Sequence, residues 1–116
     1  MARFYALIND TGIQEVVATA IPGIEEIQKL VGIPGEDTFF EAVYQCYSDK
    51  SIALLVDDDF LRKAQQPTLI TPQRVILQGQ IIVLAIDAQQ EDFCLLTKQQ
   101  LELVKKETKL FQKPKV

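Results

Sequence analysis

The sequence predicts an α+β fold: a mainly antiparallel sheet of five to six strands with two helices, in the order ββα-ββ-ββ(β)-α. Three observations carry this. Strand-like runs follow one another across short turns, so neighbouring strands pair antiparallel without a crossover. Two stretches, the one opened by Pro22 and stopped at Gly32 and the one after Thr97, have amphipathic helical spacing. One run, Ile81 to Ile86, is apolar at every position, which marks a central strand covered on both faces.

The elements follow in order. Residues 3–8 and Ile13 to Ala20 form a hairpin across Asn9-Asp10-Thr11-Gly12, residues that tolerate positive φ. Pro22 suits the first turn of a helix, Glu25 and Glu26 complement its positive start, and Lys29 its end. Ile24, Ile27 and Val31 share its apolar face, and Gly32 and Pro34 stop it. Thr38 to Tyr47 is an aromatic strand, returning across Ser48–Ser51 as Ile52 to Val56. Asp59 is placed to cap a short helix, Phe60 to Gln65, that Pro67 ends. Thr68 to Gln73 is extended, and Arg74 to Ile86 is strand with a break at Gly79. Phe93 to Leu96 is a short strand. Thr97 with Gln100 is a capping box opening the last helix, whose stripe is Leu101, Val104 and Thr108, widened by Leu103, Leu110 and Phe111.

A chain of 116 residues, 47% hydrophobic, is read as one domain over 1–116, with residues 112–116 a flexible basic tail. There is no histidine, which removes the Ser-His-Asp and Cys-His relays and His-ligated zinc. Residues 1–97 hold 14 acids and 6 bases, whereas 98–116 hold 6 lysines and 2 acids. An acidic body with a basic end points to association between subunits or with an acidic partner, or else to a solubilising tail. Cys46 and Cys94 form no metal motif and sit among apolar neighbours, so both are expected reduced and buried. No secretory leader is recognisable and no apolar run spans a membrane, so a cytoplasmic home is expected.

Candidate sites are few. Asp57-Asp58-Asp59 is the one dense carboxylate cluster; alternate Asp57 and Asp59 can hold a hard cation, but no matching calcium-loop pattern follows, and a strand end with a helix cap explains the same residues as a structural turn. Of 13 glutamines, Gln65, Gln66, Gln73, Gln78 and Gln80 surround the irregular stretch. Their amides both donate and accept, as a polar-ligand pocket requires, or they reflect compositional bias. Tyr5, Phe39, Phe40, Tyr44 and Tyr47 suit either a base-stacking platform or sheet packing; their acidic neighbours favour packing, so nucleic acid is not expected. No phosphate loop is present, and no cofactor is expected. If the two helices cover one face, Ile81 to Ile86 needs a lid on the other. The wide stripe with Leu103, Leu110 and Phe111 then predicts a homodimer, unless that stripe packs on its own sheet.

Four stretches carry a resemblance: Ile27 to Gly32, Leu54 to Asp58, Ile76 to Val83 and Leu95 to Thr97. Through them the chain resembles a family of short bacterial and phage proteins catalogued only as a domain of unknown function. The resemblance implies an accessory or phage-linked role and brings no catalytic residues. The resulting expectation is a small non-enzymatic binding or accessory protein that self-associates, with a protein partner possible and no membrane. Two alternatives stand beside it: a small-molecule or nucleotide-binding protein using residues 57–80, and a metal-dependent hydrolase centred on Asp57 and Asp59.

Overall fold

The computed structural model describes residues 2–33, 35, 38–59 and 66–111. The short helix expected over Phe60 to Gln65 and the tail 112–116 lie outside the described residues. The first hairpin pairs β1 (Arg3–Asn9) with β2 (Gly12–Ala18) across Asp10-Thr11. Asn9 Oδ1 accepts the Thr11 amide at 2.9 Å, and Gly12 takes a φ of 137° that only glycine adopts freely. After α1 (Ile24–Val31) come β3 (Phe40–Val43), β4 (Ile52–Asp57), β5 (Pro67–Ile70), β6 (Ile76–Gln78), β7 (Ile81–Asp87), β8 (Asp92–Cys94) and α2 (Lys98–Glu107).

The fold is α+β: a six-stranded antiparallel sheet in the order β2-β1-β7-β4-β3, with β8 on β7, and a separate β5–β6 hairpin. The apolar run is central, as its composition requires. Ile82 pairs with Leu7 of β1 on one side and with Leu55 of β4 on the other. Both Ile52 of β4 and Cys94 of β8 pair with Ala85, so β8 lies on the β1 side of β7. There Leu96 exchanges two backbone hydrogen bonds with Phe4, at 3.0 and 2.7 Å. The break expected at Gly79 separates β6 from β7, with Gly79 at a φ of 80°.

The two helices lie on opposite faces of this sheet, not on one. Ile27 and Val31 of α1 pack with Leu7, Leu55, Ile82 and Leu84. Leu101 and Val104 of α2 pack with Phe4, Ala6, Ile8, Leu54, Ile81 and Val83, together with Leu69 and Leu77 of the small hairpin. Both faces of β7 are therefore covered within one chain. The lid inferred from its composition is α1 on one side, and α2 with the hairpin on the other. Fully burying side chains such as Leu101 and Val104 contributes roughly 1.5–3 kcal/mol each.

Other boundaries also depart from expectation. The aromatic strand stops at Val43, because Gln45 takes a left-handed φ of 66° and the two-residue alternation is lost. Cys46 and Tyr47 then turn into the core beneath α2. Pro22 precedes the helix instead of occupying its first turn; Gly23 is the N-cap. Gly32 ends α1 where a Cβ would collide with Thr38 Oγ1, so the close approach of Thr38 requires glycine. Ile24, expected on the buried face, is 68% exposed.

The last helix ends at Glu107, so Leu110 and Phe111 do not belong to its stripe. The Thr108 hydroxyl donates back to Val104 O at 2.6 Å and lies 2.7 Å from the Tyr47 hydroxyl. Beyond it the chain runs extended along β5. Ile70 N–H donates to Lys109 O at 3.0 Å and Phe111 N–H to Thr68 O at 2.8 Å. Pairing with an available strand edge overrides the helical spacing of Leu110 and Phe111.

The capping box forms as expected. The Thr97 amide donates to Gln100 Oε1 at 2.9 Å and the Gln100 amide to Thr97 Oγ1 at 3.1 Å. Gln100 Nε2 also reaches Asp49 Oδ2 at 3.3 Å and Ser51 Oγ at 3.1 Å, tying the start of α2 to the turn before β4. No helix among the described residues is long and apolar enough to cross a membrane.

Candidate ligand groove

The residues singled out from the sequence do not converge. Asp57 ends β4 and is 1% exposed; its Oδ1 accepts the Asp59 amide at 2.9 Å, closing the turn. Among the described residues no group of three His, Cys, Asp or Glu side chains stands close enough to hold a metal. Gln65 lies outside the described residues. Gln66 and Gln78 sit at the base of the β5–β6 hairpin, where Gly79 N–H donates to Gln66 O at 2.8 Å. Gln80 serves the fold: its Nε2 donates to Leu30 O at 2.8 Å, and Asn9 Nδ2 donates to its Oε1 at 3.3 Å. Gln73 lies in the turn at the opposite end of the hairpin, with its Nε2 on Gln45 O at 2.9 Å.

The aromatic residues scatter as well. Phe40 packs beneath α1 and Tyr47 on the α2 side, while Phe39 and Tyr44 face solvent. Of the expected self-association residues, Leu103 packs against the core, Phe111 is half-buried and Leu110 is exposed. Both cysteines are free; Cys46 is buried, but Cys94, on the three-residue strand β8, is only half-buried. Burial pushes both thiols above the usual range.

What the fold does bring together is the turn of the β5–β6 hairpin and the end of α2. Ile70, Thr71, Pro72, Arg74 and Ile76 from the hairpin, with Glu107 and Lys109, line an open groove of about 630 Å³. A separate, much smaller cavity beside it shares Ile70, Thr71 and Pro72 and is lined also by Cys46, Tyr47 and Leu69. The walls are joined by the Ile70–Lys109 backbone hydrogen bond.

The turn is built locally. Thr71 N–H donates to Val75 O at 2.9 Å, and Arg74 N–H donates to Thr71 O at 2.8 Å. The Val75 amide donates to Thr71 Oγ1 at 3.1 Å. Pro72 fits the second position of this turn, where its fixed φ is required. The residue closing such a three-residue loop is left-handed and ordinarily glycine. Here it is Arg74, at a φ of 65°. The Gln73–Gln45 hydrogen bond joins this turn to the loop after β3, where Gln45 is also left-handed. Such outliers cluster where function constrains the backbone.

The charges divide unequally. Hydrogen bonds from the Ser48 hydroxyl and amide hold the Glu107 carboxyl below its usual range and turn its charge toward the 48–51 turn. Arg74 and Lys109 make no ion pair among the described residues. Ile70, Pro72 and Ile76 supply the apolar wall. The arrangement offers two cationic heads beside a hydrocarbon surface. Burial above all pushes the Tyr47 hydroxyl up to about 12, against the lowering effect of the Thr108 hydrogen bond.

Sequence reasoning missed this groove because its residues are apolar or isolated. One signal was available: Arg74 is the only base between Lys63 and Lys98, and it occupies the loop position where glycine is usual. No family model, curated protein or solved structure matches the chain.

Proposed function

We propose that the chain is a small non-enzymatic binding protein whose groove takes an amphipathic anion, a carboxylate or phosphate head on an apolar body. The observation that carries this reading is the placement of Arg74 and Lys109, without an ion pair among the described residues, beside Ile70, Pro72 and Ile76 in one groove. Arginine and lysine recognise carboxylate and phosphate oxygens through charge-assisted hydrogen bonds, and the apolar wall rewards burial of a hydrocarbon part. An accessory role, as the resemblance to short bacterial and phage proteins implies, and a cytoplasmic location, in keeping with two free cysteines, belong to the same proposal.

Thermal unfolding with dodecyl phosphate, dodecanoate or inorganic phosphate tests it. Both amphiphiles should raise the melting temperature, inorganic phosphate much less, and Arg74→Glu with Lys109→Glu should abolish the rise. At a ligand concentration a hundredfold above Kd the stabilisation is about 2.7 kcal/mol. No rise with either amphiphile, or a rise unchanged in the double variant, overturns the reading.

A further inference from the structure

The covering of β7 within one chain removes the need for a second subunit over the sheet, but it leaves one edge open. β2 is an outer strand of seven residues without proline or lysine. The other outer strand, β3, has four residues and runs into the left-handed Gln45, so it is protected by its shortness.

The register shows which groups β2 leaves open. Asn9 pairs with Gly12 across a two-residue turn, so Gly12, Gln14, Val16 and Ala18 bond to β1. The same parity holds on β1, where Phe4 spends both backbone groups on Leu96, away from β2. Ile13, Glu15 and Val17 therefore point their N–H and C=O groups outward, and no backbone partner meets them among the described residues. Val17 is also 69% exposed, an apolar side chain that packing within the monomer does not explain.

We infer that β2 pairs antiparallel with β2 of a second copy about a twofold axis at Glu15, joining two sheets into one. This register overlaps all seven residues and matches every outward N–H with an outward C=O. It sets Ile13 opposite Val17 of the second copy, a β-branched apolar pair on the α2 face. Glu15 meets its own counterpart, a juxtaposition that would repel were each carboxylate not already paired with Lys105 of its own α2 at 2.6 Å. Around the axis the two glutamates and two lysines then complement one another. That neutrality, with the apolar pairs on either side, favours a second copy over an unrelated strand.

Sedimentation equilibrium with a crosslinking variant tests the interface. The native chain should sediment at twice 13.1 kDa, and Val17→Lys should sediment at 13.1 kDa with an unchanged circular dichroism spectrum. Glu15→Cys should form a covalent dimer under mild oxidation that neither the native chain nor Val17→Cys forms, since only residue 15 faces itself across the axis. Antiparallel hydrogen-bonded pairs stand about 5.5 Å apart at Cα, within disulfide reach. A native monomer at high micromolar concentration overturns the proposal, as does a Val17→Lys dimer. Should Val17→Lys fail to fold, the absence of a Glu15→Cys-specific crosslink overturns it.

Discussion

Replacing Arg74 separates the two things that residue does, because its backbone and its side chain contribute independently. At a φ of 65° an L-residue carries roughly 1–2 kcal/mol of strain that glycine does not. Glycine gives back about 0.5–1 kcal/mol through the greater freedom of its unfolded chain. Arg74→Gly should therefore raise stability by about 0.5–1 kcal/mol, or about 2–4 °C in Tm for a chain of this size. Arg74→Ala keeps the strain and should leave stability within about 0.5 kcal/mol of the parent. Both variants lose a charge-assisted interaction worth about 1.5–3 kcal/mol with the ligand, so both should bind dodecyl phosphate roughly tenfold to a hundredfold more weakly. Urea unfolding gives the first quantity and calorimetric titration the second. If glycine is less stable than alanine here, the strain argument is wrong. If both variants bind as the parent does, Arg74 is not part of the site.

Three further predictions concern what holds the groove and the helices in place. Gln100→Ala removes the amide that closes the capping box and bridges to Asp49 and Ser51; at about 1 kcal/mol for each of these three bonds it should cost about 3 kcal/mol in urea unfolding, and a loss below about 0.5 kcal/mol would show that the bridge is slack. Tyr47 is protonated in the folded chain to about pH 12, above its unfolded value near 10, so it contributes stability below pH 10 that is lost as pH rises to about 12; Tyr47→Phe should flatten this alkaline limb of a pH-dependent melting series and remove the late tyrosinate absorbance step. Glu107 has a depressed folded pKa, so its contribution is present above its unfolded value near 4.3 and is lost as pH falls through the folded one; Ser48→Ala should shrink that acid limb, and an unchanged acid limb would show that the Ser48 hydroxyl contributes nothing.

Local rules carried the elements well, and long-range pairing decided what they missed. The capping box at Thr97, the tight first hairpin, the break at Gly79 and the central Ile81 to Ile86 run all follow from nearest-neighbour chemistry, and the structure shows each. Which face each helix covers is not a local property. The stripes of α1 and α2 look alike in sequence, and only the strand order places them on opposite sides of β7. Leu110 and Phe111 continue a helical stripe until the edge of β5 offers backbone hydrogen bonds instead. The glutamines mislead for a similar reason, since Gln80 is spent on Leu30 and Asn9, while Gln73 is separated from Gln66 and Gln78 by the length of the hairpin. The groove itself joins residues 70–76 to 107–109, and no spacing within either stretch announces the other.

The claim that the groove is a binding site is tested most directly by an amide-resolved NMR titration with dodecyl phosphate. Shift changes should be confined to residues 70–76 and 107–109, with the strongest at Arg74 and Lys109, and the β2 amides should stay still. Changes centred on Gln66, Gln78 and Gln80 at the far end of the hairpin, or no saturable change anywhere, would contradict it.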